Sequence, residues 1–494
     1  MNLPNVAQAS QPARAEHLDG GKTRTRPDAG WEACATKFLL LLSLFGLEGI
    51  CAPTQVLPTE AKVSVIGHAW AGDPVSFAIL TERGHQFVAF YDGDRRLNVA
   101  GRSLDSDGWT IVKPEGHDVP ARGRSSNVTG WDSHNYLRLA LDRDGFLHVT
   151  GNMHVEPLVY YRTRRPLEVS TLERIDFMTG ELEEHCTYPV FFKNAAGDLL
   201  FRYRDGSAGK GNDLYDIYDT ATRRWHRLLS TPLLDGQDKR NAYALEPTLG
   251  PDGYFHLVWM WREAWDCSTN HTLSYARSRD LLHWEDSHGK ALELPITLSR
   301  CDVIDPSKQK EGLMNMTFQL GFDDQKKPVA VYHRYDAQGH SQIYAARPTS
   351  TGWEVHPLTQ WNFRWAFGGL GSVPAEVILG EPRLTSRETL LIDFDSSAIG
   401  AGRLQVNAKT LEPLAPLPAG PKPLPARLLA PESSFAGMEV QTMVSHYGSK
   451  LYVLRWETLP RNRDEPRAQV PPASELRVYE MPDADVNNAR QIGS

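Results

Sequence analysis

The sequence predicts an all-β chain folded as a seven-bladed β-propeller. Three observations lead there. Segments of one plan recur: "DRDGFLHVTG" (142–151), "NAAGDLLFRYRDG" (194–206), "GPDGYFHLVWMW" (250–261) and "DDQKKPVAVYHRYD" (323–336) each run from a polar turn into an alternating or apolar strand. Between them lie "LVYYRTRRPLEV", "DIYDTATRRWHRL", "LSYARSRDLLHWE" and "IYAARPTSTGWEVHPL", which read as strand, polar turn, then a strand opening at or near Trp. The turn glycines Gly145, Gly197 and Gly253 are spaced by 52 and 56 residues. Such a period holds about four strands, one propeller blade, and a mature span of about 440 residues holds roughly seven.

Taken in order, the chain of 494 residues opens on a polar, aperiodic stretch of 36. Lys37 then precedes "FLLLLSLFGLEGICAPT". The apolar run from Phe38 to Leu47 is too short for a bilayer. With its basic flank and small-residue tail it reads as a secretory signal ending near Ala52. Residues 1–52 are thus a leader, no membrane span is expected, and the protein is expected to be secreted or periplasmic. Residues 53–494 are expected to form one propeller with a polar tail from about 460, "PRNRDEPRAQVPPASE". The Pro-rich stretch 411–432 reads as a joint between late blades. A pair of β-sandwiches would require a linker near the middle, and none is visible.

Composition narrows the function. A net charge of -8 argues against nucleic acid as partner, though a local basic site can still receive an anion. Beyond the leader only Cys186, Cys267 and Cys301 remain. Three thiols cannot all pair, so a disulfide scaffold is excluded; one bridge, free thiols or a metal ligand stay open. "RDGSAGKGN" (204–212) is glycine-rich but lacks the phosphate-loop pattern, and no organic cofactor is expected.

Candidate chemistry falls on three successive segments. "GWDSHNYLRLALDRDGFLHVTGNMH" carries His134 and Asn135, then Asn152 and His154; His148, inside a strand, is expected to be structural. "TYPVFFKNAAGDLLFRYRDGS" carries Tyr188 and Arg204, 16 apart, about one hairpin, so both reach one rim. "NAYALEPTLG" carries Tyr243. Glycoside hydrolysis ordinarily uses a pair of carboxylates, and these segments offer no clear pair, although Asp132, Asp205 and Glu246 are present. β-Elimination from a uronate has other needs. A guanidinium neutralises the sugar carboxylate and acidifies the C5 proton. A base removes that proton, and an acid protonates the leaving oxygen at C4. A second cluster, "WDCSTNHTLSYARS" (265–278), places Cys267 and His271 near a loop, with His333 as a further donor. The set is short of a closed zinc site; a buried thiol and a hydrogen-bonded imidazole are the alternative.

At these residues, together with "GHAWAGDPVSFAIL" and the Asp-box-like turn "SRDLLHW" (278–284), the sequence resembles the sialidase-repeat (BNR-type) seven-bladed propellers of polysaccharide lyases. That group includes ulvan lyases and L-rhamnose-α-1,4-D-glucuronate lyases. The resemblance spans about 60 to 400. It implies that His134 and Tyr188 share the base and acid roles, that Arg204 neutralises the uronate, and that His154, Asn135 and Tyr243 bind sugar. It further implies one structural metal ion, Zn2+ or Ca2+, held through Cys and His, which adds weight to Cys267 and His271 beside the further donor His333. The implied partner is an acidic polysaccharide rich in rhamnose and uronate. A related branch implies an α-L-rhamnosidase using a His near the propeller's start, a place His68 could fill. A non-catalytic carbohydrate-binding propeller is the third reading.

Overall fold

The computed structural model describes residues 61–315, 317–420 and 424–482. The leader and signal lie outside the described residues.

Seven antiparallel sheets of four or more strands follow one another, with one short ribbon besides. Blade 1 runs Ala78–Glu82, His85–Tyr91, Leu97–Ser103, Thr110–Val112; blade 2 runs Leu137–Leu141, Leu147–Gly151, Tyr160–Thr163, Leu172–Arg174. Blade 3 is built from Cys186–Lys193, Leu199–Ser207, Lys210–Asp219 and Arg224–Arg227. Blade 4 centres on Phe255–Arg262 and Asn270–Ser278, and blade 5 on Pro328–Tyr335 and Ser341–Pro348. Blade 6 centres on Thr389–Ser396 and Gly402–Asn407. The last sheet joins both ends of the described chain: Glu439–Tyr447, Lys450–Thr458 and Ser474–Pro482 are completed by Lys62–Ala69. That pairing closes the ring and leaves no unpaired end blade.

First strands of neighbouring blades pack side by side: Glu439–Tyr447 on Ala78–Glu82, that strand on Leu137–Leu141, and that one on Cys186–Lys193. The apolar clusters lie between sheets. Phe77 stacks on Trp456 at 4.4 Å where blades 1 and 7 meet, and Phe192, Leu200 and Trp259 join blades 3 and 4.

The recurring turns have one chemistry. In blade 2 the Asp142 carboxylate accepts the Asp144 and Phe146 amides, and the Gly145 amide closes on the Asp142 carbonyl. Asp323 does the same in blade 5, and in blade 3 the Asn194 side-chain oxygen accepts the Asp198 amide while the Gly197 amide closes on the Asn194 carbonyl. The fourth position is left-handed, φ 88° at Gly145 and 83° at Gly197, which glycine adopts without penalty. This is the physical content of the spacing in the sequence. "SRDLLHW" is likewise a self-bonded turn: Asp280 accepts the Leu282 and His283 amides, and the Trp284 indole donates to the Leu281 carbonyl.

One expectation is corrected. The stretch from 460 is no tail. It is the connection between the second and third strands of blade 7, and Ser474–Pro482 after it is a sheet strand. Its polar, Pro-rich composition suits a long surface loop as well as a loose end. Cys186, Cys267 and Cys301 are all free thiols, one of the alternatives their number left open. His148 is structural as expected, fully buried between the Tyr160 hydroxyl at 2.7 Å and Asp142. The Pro-rich stretch does link blades 6 and 7.

Gly151 ends the second strand of blade 2 at φ 137°, and a Cβ there would overlap the Tyr136 carbonyl oxygen. Gly151→Ala is therefore expected to cost about 1–3 kcal/mol, read as a lower midpoint in denaturant.

Candidate active site

Four chain segments deliver the site. The loop 130–136 ahead of blade 2 carries Asp132 and His134. The Asp132 carboxylate accepts the His134 amide at 2.9 Å and the His134 Nδ1 at 2.6 Å, while the Asn135 amide closes on the Asp132 carbonyl. The chain leaving Gly151 passes through Asn152 and Val155, both at φ 59°. His154–Glu156 then adds to the edge of blade 3. His154 Nδ1 reaches the other Asp132 oxygen. The two imidazoles stack at 4.1 Å with 21° between planes.

Blade 3 supplies the phenol and the guanidinium. Its first strand bulges between Thr187 and Val190, with Tyr188 at φ 58°. A β-bulge re-aims a side chain, and left-handed backbone at a non-glycine persists only where its surroundings hold it. Tyr188 faces His134 at 5.5 Å between ring centroids. Arg204, across the ladder from Thr187, donates to the Thr187 hydroxyl at 3.0 Å and lays its guanidinium 4.9 Å from the Tyr188 ring. Arg204 is 4% exposed, and its Nε and Nη1 have no hydrogen-bond partner. Blade 4 adds Tyr243, edge-on to Tyr188 at 5.9 Å. Its hydroxyl accepts from Arg262 at 2.9 Å, and Arg262 donates onward to Asn270 and Asn315.

The electrostatics follow. Burial alone would raise the Asp132 carboxyl, but hydrogen bonds from His134 and His154, with their charges, hold it far below the usual carboxylate range. His154 is lowered, chiefly by burial, against the opposing pull of Asp132. Asp132 contacts both rings through Nδ1, which leaves each Nε2 outside that contact. Burial and then Tyr243 push the Tyr188 phenol well up, against Arg204 and Arg262. Tyr243 is the reverse: burial is outweighed by Arg262 and Arg204, and its phenol falls.

Of the expected site residues, His134, His154, Tyr188, Arg204 and Tyr243 come together. Asn135 sits in the same turn, 1% exposed; its main-chain carbonyl accepts from Tyr91, and its side-chain amide is buried without a hydrogen-bond partner. Asp132 and Arg262 were missed. Asp132 had a signal, being two residues before His134; Arg262 had none, since only the ladder brings it opposite Asn241 and its bond finds Tyr243. His68 sits on the closing strand opposite Glu475 and makes none of the contacts that build the cluster.

The expected metal set does not converge. His271 is drawn to Glu263 at 2.9 Å and to Thr272. His333 is bonded to the Gly312 carbonyl at 2.8 Å and lowered to about 4 by burial. Cys267 packs in the apolar cluster with Met314 and Trp365. Donor spacing in the sequence said nothing of these separate hydrogen bonds. Among the described residues the one converging set of metal-capable donors is Asp132, His134 and His154. One carboxylate and two imidazoles suit an ion of the zinc class better than calcium, and such an ion would displace both Nδ1 protons from Asp132.

The class is now defined: a sialidase-repeat propeller whose rim holds a carboxylate-bridged imidazole pair beside an unneutralised guanidinium. The profile described as "BNR repeat-containing family member" matches residues 85–361, over half of the chain, and the chain belongs to that family. The structure is similar to that of polysaccharide lyase Uly1, at TM-score 0.56 and 15% identity over 87% of this chain and 94% of that one. It is also similar to a PL25 ulvan lyase, at TM-score 0.55 and 12% identity over 85% and 96%, including that enzyme bound to -[GlcA(1-4)Rha3S]-. At these identities the likeness establishes the fold. No curated protein matches by sequence.

Asp132→Asn is expected to lower the ionisation point of His154 further, because the carboxylate is what opposes burial there. Histidine NMR titration of the two proteins checks this.

Proposed function

We propose that this protein is a polysaccharide lyase that cleaves L-rhamnosyl-α-1,4-D-glucuronate linkages by β-elimination. The observation that carries the reading is the buried Arg204 guanidinium with two unpartnered nitrogens beside Tyr188 and the imidazole pair. A buried charge left open in this way calls for an anion. A uronate carboxylate on Arg204 loses its charge, and the C5 proton becomes removable. His134 Nε2 takes that proton, its Nδ1 held by Asp132. The C4–oxygen bond breaks as the C4–C5 double bond forms, and Tyr188, kept protonated by burial, protonates the departing oxygen. His154 and Tyr243 line the site and receive sugar hydroxyls. Each proton transfer belongs to this chain's own side chains.

The linkage rests on the sequence resemblance; the ligand of the structurally similar PL25 ulvan lyase, -[GlcA(1-4)Rha3S]-, combines the same two sugars. The signal at 37–52 supports export. No helix among the described residues is long and apolar enough to cross a membrane.

Incubation with ulvan and with a gum-type arabinogalactan tests the reaction, monitored by the ultraviolet absorbance of a conjugated 4,5-unsaturated uronate. That product is expected. Saturated ends would identify a rhamnosidase instead, and binding without cleavage a carbohydrate-binding propeller. Arg204→Ala should lower turnover by roughly 10²–10³-fold or more. Tyr188→Phe should lower kcat by roughly 10²–10⁴-fold with little change in KM; near-normal turnover would remove Tyr188 from the mechanism.

A further inference from the structure

The loop that carries Asp132 and His134 precedes blade 2 and lies outside its ladders, so its geometry depends on what grips it. Within the loop, Asp132 satisfies the amides of His134 and Asn135. The amide of Ser133, between Asp132 and His134, turns outward. It donates at 3.1 Å to Asp464 Oδ1, 331 residues further along the chain. Asp464 sits in the connection between the second and third strands of blade 7. Its other oxygen accepts the Ser372 amide at 2.8 Å, the Ser372 hydroxyl donates to Oδ1 at 2.8 Å, and the Ser133 and Ser372 hydroxyls meet.

Ser372 belongs to the segment "FGGLGS", 367–372, between blades 5 and 6. The residue before Asp464 grips the same segment: Arg463 Nη1 donates to the carbonyls of Leu370 at 3.0 Å and Gly368 at 3.3 Å. The Gly369 amide donates to Asp266 of blade 4 at 3.0 Å. Arg463 and Asp464 both hold left-handed backbone, φ 53° and 65°. That conformation costs of order 1–3 kcal/mol at a non-glycine and persists where neighbours over-determine it.

One carboxylate thus ties the proton-handling loop of blade 2 to the connections of blades 5–6 and 7. Its bonds are to two loop amides and one loop hydroxyl, all charge-assisted. We propose that Asp464 is a positioning residue: through the Ser133 amide it fixes the Asp132–His134 turn, and with it the aim of both imidazoles. The inference rests on the lyase reading for its kinetic consequence and on hydrogen bonds alone for its structural one.

The test compares wild type, Asp464→Ala and Asp464→Asn in the full chain. Three readouts are taken: melting temperature, hydrogen exchange of residues 130–135, and kinetics on the uronate glycan. In Asp464→Ala, melting should be nearly unchanged while exchange in 130–135 rises. Its kcat should drop by roughly 10–10²-fold, the scale for a misplaced catalytic group, with KM within about twofold. The Asn side chain keeps one acceptor oxygen, so Asp464→Asn should recover part of the lost kcat. Wild-type kcat with unchanged exchange in Asp464→Ala would overturn the proposal. So would a fall in melting temperature with faster exchange throughout, which marks a merely structural residue. If wild type yields no unsaturated product from any uronate glycan, the lyase reading fails; the exchange arm still decides, since faster exchange confined to 130–135 supports the tie and its absence refutes it.

Discussion

A guanidinium buried without a counter-carboxylate is the constraint on which this site depends. Two arginines stand two residues apart on one strand of blade 3. Arg202 is neutralised inside the fold, its Nε bonded to Asp213 at 2.7 Å. Arg204 has only a threonine hydroxyl and the face of a tyrosine. Leaving a buried charge unpaired costs free energy; among the described residues no carboxylate forms an ion pair with Arg204, although the Asp205 carboxyl feels its charge. An incoming carboxylate would remove that cost and bring its sugar against Tyr188. The same logic extends to Arg262, whose three hydrogen bonds go to a phenol and two amides and to no carboxylate.

Asp132 complements this arrangement by dividing one negative charge between two imidazoles. Two stacked rings at 4.1 Å repel if both are protonated. A shared carboxylate holds both rings through Nδ1. The phenols are likewise driven apart: Tyr188 stays protonated while Tyr243, bonded by Arg262, is drawn toward ionisation. Unequal environments for like groups are how one site separates acid from base. The left-handed backbones at Tyr188, Asn152 and Val155 show where the fold bends to bring these groups together.

Much of the fold was legible in the sequence because a blade repeats a local chemistry. An Asx turn needs Asp or Asn followed by a residue that accepts positive φ, and that pair recurs with the blade. The Tyr188–Arg204 spacing was legible for the same reason, since a hairpin places its two ends on one rim. What failed was what local pattern does not encode. Cys267, His271 and His333 looked like donors of one site, but each finds a separate partner or an apolar environment. The stretch after 460 looked like a loose end, yet Asp464 within it is bonded across 331 residues. Long-range hydrogen bonds leave no periodicity to read.

The most direct measurement of the central claim is binding to Arg204 itself. Titration calorimetry would compare a rhamnose–glucuronate oligosaccharide with its carboxyl-reduced counterpart, identical but for the lost charge. Tighter binding of the acidic sugar by about 1.5–3 kcal/mol is expected for a charge-assisted pair, and that margin should vanish in Arg204→Ala. Equal affinity of the two sugars for the wild-type protein would contradict the account, because the open guanidinium would then not be the seat of the carboxylate.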